Sequence, residues 1–177
     1  MSAGAIEIRD ATAADLPRIF EIYNREVEHG ISTFDLEPRK VGVDDGWLTD
    51  REPIHPVLVA SAECSVVGWA SLSAWSPRGA YRRTGEVSEY VHADHRGRGI
   101  GAALLQALVE RARGSGVVVV MARIALPNTA SIAIHEACGF RSIGTQRRAG
   151  EKLGRLIDVE LMDLHLDAPI ARRGRRR

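Results

Sequence analysis

The sequence lacks the features that mark several specialised protein classes. None of its apolar runs approaches the roughly 20 residues needed to span a bilayer, and no basic stretch followed by an apolar signal core opens the chain. Its two cysteines, Cys64 and Cys138, lie far apart and have no zinc or redox spacing. We therefore expect a soluble, cytoplasmic protein with no membrane association and with both thiols reduced.

Basic charge is scarce once the end of the chain is set aside. The formal net charge is +1, yet five of the last six residues are arginines: Arg172, Arg173, Arg175, Arg176 and Arg177. Without them, 19 basic residues stand against 23 acidic ones, so we expect no nucleic-acid partner. A chain of 177 residues can bury one core, which predicts a single domain over 1–168 and a disordered basic tail over 169–177.

Hydrophobic periodicity predicts alternating strands and helices. Alternating or β-branched segments predict strands near residues 6–8, 57–61, 66–75, 86–92, 117–121, 140–145 and 157–166. Helical spacing predicts helices after a Thr12 cap, over 41–51, over 100–113 and from Asn128 or Thr129 to Gly139. The β-branched run at 117–121 is typical of a central strand buried on both faces. The predicted fold class is α/β, a central mixed β-sheet flanked by helices.

A glycine-rich turn stands where the fourth predicted strand becomes the third predicted helix. A helix N-terminus offers unpaired N–H groups and a partial positive charge, and glycines let the backbone approach a phosphate closely. Two arginines add positive charge beside the same anion. The turn therefore predicts a pyrophosphate site made of Arg96, Gly97, Arg98, Gly99, Ile100 and Gly101.

Other ligand motifs fit this turn less well. Gly97, Gly99 and Ala102 match the spacing of the dinucleotide fingerprint, which expects an acidic residue at the end of the next strand. Residues 123–125 are Arg, Ile and Ala instead, and the chain has no Gly-Lys-Ser or Gly-Lys-Thr for a Walker loop. His92 and His95 flank the turn without further converging ligands, so we expect no metal.

Two motifs resemble the GNAT superfamily of N-acetyltransferases. Arg96, Gly99 and Gly101 occupy the fixed positions of its acyl-CoA motif. Downstream, Asn128 followed by His-Glu-Ala-Cys-Gly-Phe at 135–140 is similar to the late helix signature of the same superfamily. The two motifs lie at the separation that the superfamily leads us to expect.

Within that superfamily, residues 8–166 resemble the phosphinothricin and methionine sulfoximine acetyltransferases. The likeness is carried by Phe34-x-x-Glu37-Pro38, Trp75-x-x-Arg78-x-Ala80-Tyr81, Thr84-x-Glu86, Tyr90-Val91 and Lys152-x-Gly154-Arg155-x-x-Asp158. Three positions depart from the group: Ser76 replaces a basic residue, Glu89 an apolar one and Leu156 an aromatic one. These departures affect the expected identity of the acceptor more than the expected binding of the cofactor.

The resemblance implies a GNAT-like acyl-CoA N-acyltransferase fold. The implied reaction moves an acetyl group from acetyl-CoA to the amine of a small amino-acid-like acceptor, in a homodimer and without a metal. The strand ending at Tyr90 and Val91 is implied to bind pantetheine through main-chain groups and to leave an N–H near the thioester oxygen. The implied cofactor contacts are Glu89, Tyr90, Val91, Arg96, Gly97, Arg98, Gly99, Ile100, Gly101 and Asn128.

Acetyl transfer also needs a base for the amine and a proton for the departing thiolate. The resemblance assigns the general base to Glu86, which without that likeness is read as a solvated glutamate at a strand start. His135 stands where superfamily members usually carry a tyrosine acid. It either protonates the thiolate, orders water or packs in the core.

The candidate acceptor-binding residues combine aromatic rings with cations, which suits a small zwitterion bearing acidic oxygens. They are Phe34, Trp75, Arg78, Tyr81 and Arg82. Three alternative functions stay open at this point. They are a non-catalytic acyl-CoA sensor, a dinucleotide-binding oxidoreductase, and an acetyltransferase for polyamines or protein amines.

Overall fold

The computed structural model describes residues 6–166, and a seven-stranded mixed sheet organises them. The strands run along the chain as β1 Glu7–Asp10, β2 Val57–Ala62, β3 Ser65–Ala74, β4 Thr84–Val91, β5 Val119–Ala125, β6 Arg141–Lys152 and β7 Arg155–His165. Their spatial order is β1-β2-β3-β4-β5-β7-β6. Only β4 and β5 pair in parallel among these strands. The predicted mixed sheet is confirmed, whereas the predicted basic tail lies outside the described residues.

Helices cover both faces of the sheet. They are α1 Leu16–His29, α2 Gly46–Thr49, α3 Ile100–Ser115 and α4 Thr129–Ala137. A 3₁₀ turn over Ala13–Asp15 separates Thr12 from α1, because Asp15 accepts from Thr12 N and pairs with Arg9. That pairing lowers the pKa of Asp15 to about 2. No described helix is long and apolar enough to cross a membrane.

The helix predicted over 41–51 is much shorter in the structure. Residues 41–45 form turns, in which Gly42 has a φ of +82° and its N–H donates to Asp45 Oδ1. Lys40 N donates to Asp44 Oδ2, so acidic side chains satisfy the backbone donors here. Local side-chain bonds of this kind compete with a helix, which explains why only four residues remain helical.

Two hydrophobic clusters lie on opposite faces of the sheet, because successive strand residues alternate in direction. The face under α3 buries residues such as Leu72, Val87, Leu104 and Val120. The face under α1 buries Ile19, Phe20, Val59 and Trp69. The strand predicted at 117–121 is central, as β5, but its prediction of burial on both faces is wrong. Val119 and Met121 are only half-buried, whereas Val120 and Ala122, which point to the face under α3, are buried.

A cleft arises where the parallel strands separate. The described β4–β5 ladder pairs Thr84, Gly85 and Glu86 with Val119, Val120 and Met121, and no pair follows. Both strands nevertheless continue, to Val91 and Ala125. The sheet therefore splits beyond Glu86, and main-chain groups of β4 face an open space instead of a neighbouring strand.

The hairpin of β6 and β7 closes one side of that space. Lys152 is buried, and its Nζ donates to the carbonyl oxygens of Glu26 (2.9 Å) and Thr33 (2.7 Å). A buried ammonium needs such acceptors, because an unpaired one is very costly. The pair of bonds fastens the hairpin to α1 and to the loop that follows it.

Candidate active site

A cavity of about 760 Å³ runs through the split in the sheet. One end reaches the N-terminus of α3, where Gly97, Gly99 and Gly101 line it. The other end lies over the α1 face, where Glu86 and Arg123 line it. The structure thus brings the predicted phosphate turn and the predicted base into one continuous space.

The turn has the backbone conformation that the glycines allow. Gly97 and Gly99 have φ values of +73° and +79°, in the left-handed region that L side chains rarely adopt. Gly99 is also the N-cap of α3, whose first N–H groups have no partner within the helix. Ile100 is buried in the core and anchors the helix start. The turn can therefore present several N–H donors to an anion.

Arg96 contributes to this turn differently from the prediction. Its Nε donates to the carbonyl oxygen of Val91 (3.0 Å), and its Nη2 lies 2.6 Å from Glu26 Oε1. The side chain thus joins the turn to β4 and to α1. Arg98 is exposed and is not among the residues that line the cavity. Of the two arginines predicted for the turn, Arg96 therefore lines the cavity and holds the turn in place, whereas Arg98 lies outside the lining.

The residues predicted to contact pantetheine line the middle of the cavity. Tyr90 packs its ring against Trp69 (4.8 Å between centroids), and its hydroxyl donates to Ser32 O, so this side chain belongs to the α1 face. Burial raises the pKa of that hydroxyl. Asn128 caps α4, because its Oδ1 accepts from Ser131 N at 3.1 Å. The Tyr90 side chain is therefore fixed by its contacts on the α1 face, where Tyr23 and Trp69 also line the cavity.

Glu86 forms a two-pronged ion pair with Arg123. Arg123 Nε lies 2.6 Å from Glu86 Oε1, and Nη2 lies 2.6 Å from Oε2. The guanidinium also lies 5.2 Å from the ring centroid of Trp75. Bidentate pairs of this type fix geometry as well as charge. Sequence reasoning missed Arg123, although a charged residue inside an otherwise apolar strand was a usable signal.

His135 is buried at the inner wall of the cavity. Its Nδ1 lies 2.8 Å from the carbonyl oxygen of Ser131, and its ring packs edge-on against Phe140 at 5.0 Å. Burial lowers the pKa of the imidazole. A carbonyl oxygen only accepts, so Nδ1 carries the proton and Nε2 of the neutral ring is an acceptor.

The predicted acceptor residues are only partly brought together. Phe34 lines the cavity, and Trp75 reaches it indirectly through Arg123. Arg78, Tyr81 and Arg82 lie on an exposed loop and are not among the lining residues. Of the predicted acceptor residues, Phe34 and Trp75 are therefore near the site, whereas Tyr81 and both cations are not.

Different side chains supply charge at this end. Tyr23 donates from its hydroxyl to Asp35 Oδ2 (2.5 Å), and its pKa is raised to about 12, mainly by burial. Arg39 stacks on the rings of Tyr23 (4.6 Å) and Trp47 (5.0 Å). The sequence showed Tyr23 only as part of an apolar helix face. Its hydroxyl was the neglected signal, since a buried phenol usually finds a partner.

The two histidines beside the turn make contacts within their own segment. His92 Nδ1 accepts from Asp94 N at 3.4 Å, and the rings of His92 and His95 lie 5.9 Å apart. Within residues 6–166, no group of three or more His, Cys, Asp or Glu side chains is placed to hold a metal ion.

Comparisons with known proteins give the same family throughout. The model of the Acetyltransferase (GNAT) family matches residues 16–140. The L-methionine sulfoximine/L-methionine sulfone acetyltransferase of Pseudomonas aeruginosa is 43% identical over 162 residues, or 90% of this chain and 94% of that protein. The phosphinothricin N-acetyltransferase of Streptomyces viridochromogenes is 37% identical and covers 93% of this chain and 91% of its own.

A solved structure extends the likeness to three dimensions. The acetyltransferase yncA of Salmonella typhimurium, solved with its cofactor acetyl-CoA, superposes with a TM-score of 0.89 at 36% identity. The match covers 94% of this chain and 97% of that one. The predicted GNAT fold is therefore confirmed. The chain belongs to the GNAT family of acetyltransferases.

Proposed function

We propose that this enzyme acetylates the amine of a small amino-acid-like acceptor, with methionine sulfoximine, methionine sulfone and phosphinothricin as lead candidates. The observation that supports this best is the continuous cavity, which joins the glycine turn to the Glu86–Arg123 pair. Support for the acceptor class comes from the names of the relatives. The remaining steps follow from the residues at each end.

Acetyl-CoA fits the turn end. The left-handed glycines and the N-terminus of α3 suit a pyrophosphate, because both present N–H donors at a positive helix pole. Beyond Glu86, β4 stays paired with β3 but has no described partner on its β5 side, so the backbone groups of that edge can bind pantetheine. An N–H in this stretch would stabilise negative charge on the thioester oxygen as the amine attacks.

Glu86 acts as the general base in this proposal. Arg123 contacts both oxygens of Glu86 and so fixes the position of this side chain at the acceptor end of the split. The carboxylate takes a proton from the acceptor ammonium, directly or through one water, and leaves a neutral amine. That amine then attacks the thioester carbonyl carbon. Arg123 keeps the carboxylate aimed into the cavity during these steps.

The acceptor end suits a zwitterion. Arg39 stacks between Tyr23 and Trp47, and Phe34 lines the same wall. A guanidinium over aromatic rings can bind acidic oxygens while the rings cover the apolar chain of the ligand. We assign the acidic groups of the acceptor to Arg39 and its ammonium to Glu86.

A homodimer also belongs to the proposal, together with a cytoplasmic location. Large apolar side chains remain exposed near the acceptor end and at the β6–β7 tip, including Leu36 (69%), Val43 (75%) and Leu153 (56%). Contact with a second copy of the chain would remove this apolar surface from water. Sedimentation velocity of the purified chain measures the oligomeric state directly.

A thiol-release assay tests the acceptor. It compares methionine sulfoximine, methionine sulfone and phosphinothricin with ordinary amino acids, polyamines and peptides at saturating acetyl-CoA. We expect kcat/KM at least about 100-fold higher for the first three than for polyamines or peptides. Polyamines have no acidic group, and a peptide carries its carboxylate far from the N-terminal amine. A peptide as the best acceptor would contradict the proposed class. Cofactor binding without thiol release for every amine would indicate a sensor.

A further inference from the structure

Glu89 lies on the opposite face of β4 from Glu86. Its neighbours two residues away, Val87 and Val91, belong to the hydrophobic cluster under α3. A Cβ added to Gly101 would lie 3.8 Å from Glu89 Oε1, which places the carboxyl beside the first turn of α3. Three residues, or about 10 Å of strand, separate it from Glu86. The two glutamates thus line one cavity from its two sides.

The Glu89 carboxyl has an unusual environment. Its Oε2 is buried and has no hydrogen-bond partner among residues 6–166. The neighbouring elements present Gly101 from α3, Ala70 across β3 and Cys138 just after α4, and His135 of α4 lines the same cavity. Burial raises the pKa of Glu89 to about 8, and the pKa of the Cys138 thiol is raised as well, chiefly by its burial. The protonated acid is the form suited to this place.

Cofactor phosphates would strengthen that preference. A pyrophosphate at the glycine turn brings negative charge to the helix pole that Glu89 faces. Like charges disfavour ionisation, so a loaded site retains the Glu89 proton more firmly than a free site. The carboxyl would therefore carry its proton at the time of acetyl transfer.

His135 cannot easily supply that proton. Its Nδ1 hydrogen is engaged with Ser131 O, and Nε2 of the neutral ring has no hydrogen to give. Burial lowers its pKa, which disfavours the imidazolium that could donate from Nε2. Among the cavity-lining groups on the α3 side of β4, Glu89 is the one that combines an acidic hydrogen with a free oxygen.

We propose that Glu89 is a second catalytic residue, the proton donor to the departing CoA sulfur. This rests on the acetyl transfer proposed above. As the amine nitrogen forms its bond to the acetyl carbon, the carbon–sulfur bond breaks and its electron pair stays on sulfur. The Glu89 proton passes to that sulfur and gives the CoA thiol. The amine's protons leave through Glu86 and water, and water reprotonates Glu89, so the reaction releases one proton.

The first test compares leaving groups in Glu89→Gln. Glutamine keeps the size of the side chain but has no acidic proton. We expect kcat with acetyl-CoA to fall roughly 100-fold, within the range typical of a lost general acid. With the selenoester analogue of acetyl-CoA, whose selenolate leaves without protonation, the loss should be less than about threefold. Glu151→Gln, an exposed carboxyl on β6, is the matched control and should change neither rate.

Equal losses with both donors, or no loss with either, would overturn the assignment. The first result would mean that Glu89 only shapes the cavity, and the second that the thiolate leaves unaided. The basic limb of the pH–rate profile adds a further readout. We expect kcat/KM for acetyl-CoA, which reports the free enzyme, to decline near pH 8 in the wild type but not in Glu89→Gln, because only the wild type loses its acid there.

An independent measurement needs no acceptor and no turnover. Infrared titration of the free protein should show a protonated carboxyl band at pH 7 that disappears as the pH rises beyond about 8. The band should be missing from Glu89→Gln and unaffected by Glu86→Gln. A wild-type protein without this band at pH 7 would refute the proposal. Failure of the acceptor assay alone would leave the infrared result standing, so the two proposals fail separately.

Discussion

The two ends of the cavity differ in the groups that they present, main-chain donors at one end and charged side chains at the other. At the cofactor end, two left-handed glycines and a helix N-terminus present main-chain donors, and Arg96 serves mainly to hold the turn. At the acceptor end, side chains define the site, led by the Glu86–Arg123 pair and by Arg39 on its aromatic rings. The first end depends on backbone conformation, and the second on charges fixed by one another.

This difference separates binding from turnover. Substitutions at the cofactor end should weaken the affinity for acetyl-CoA. Substitutions at the acceptor end should instead slow the chemical step or change which acceptor is used. The cavity joins the ends through a split only a few residues long, so each effect can be measured with the other end intact. The following variants test whether the separation is real.

Glu86→Gln should have the largest effect. We expect kcat to fall roughly 10²- to 10⁴-fold, because a positioned general base contributes that much. Glutamine can still accept a hydrogen bond from Arg123, so the pocket should keep its shape. Steady-state kinetics with both substrates saturating measures kcat, and calorimetry measures the acetyl-CoA dissociation constant, which should stay within about twofold.

Glu151→Gln again provides the control for loss of one negative charge. A Glu86→Gln enzyme with full kcat would remove Glu86 from the mechanism. A large rise in the acetyl-CoA dissociation constant would instead show that the acceptor end also binds the cofactor. The two ends would then not have separate roles.

Gly99→Ala should have an intermediate effect, and it should change acetyl-CoA affinity instead of kcat. Space is available, since an added Cβ has no atom within 4 Å, but the φ of +79° is strained for alanine. A left-handed conformation costs an L-residue roughly 1–2 kcal/mol, so acetyl-CoA affinity should fall about tenfold as the turn shifts. Saturating kcat should change little. Calorimetric titration with acetyl-CoA measures the loss.

Gly79→Ala is the matched control. This glycine also has open space around it, but its φ is outside the left-handed region. Its affinity for acetyl-CoA should match that of the wild type. If both alanine variants bind equally well, conformational strain is not what limits the turn.

The cofactor end could be predicted from the sequence because its determinants are local. Gly97, Gly99 and the periodic helix after them lie within one short segment, and helix N-termini bind anions by a general rule. The strand predicted at 86–92 also lies within two residues of the observed β4. Asn128 and Gly139 marked α4 for the same local reason, since one caps its start and the other follows its end with a φ of +97°.

The acceptor end could not be predicted as well, because its contacts join distant segments. Glu86 and Arg123 are 37 residues apart, and Lys152 reaches Glu26 over 126 residues. Nothing in the local pattern shows that Tyr23 bonds Asp35. The short α2 is a different case, because Asp44 and Asp45 bond N–H groups only three or four residues away and so compete locally with the helix. Glu89 stood out as a departure from its group, but its burial appears only once α3 and α4 pack against β4.

Arg78→Ala should have the smallest effect. Arg78 lies on the exposed loop outside the cavity lining, whereas Trp75 on the same loop reaches the site through Arg123. We therefore expect the acceptor KM to rise by less than about twofold, and Arg82→Ala to behave alike. Initial rates over a range of acceptor concentrations measure this. A tenfold rise in the acceptor KM would mean that the loop closes over the acceptor. The acceptor end would then include loop residues that do not line the cavity of the free protein.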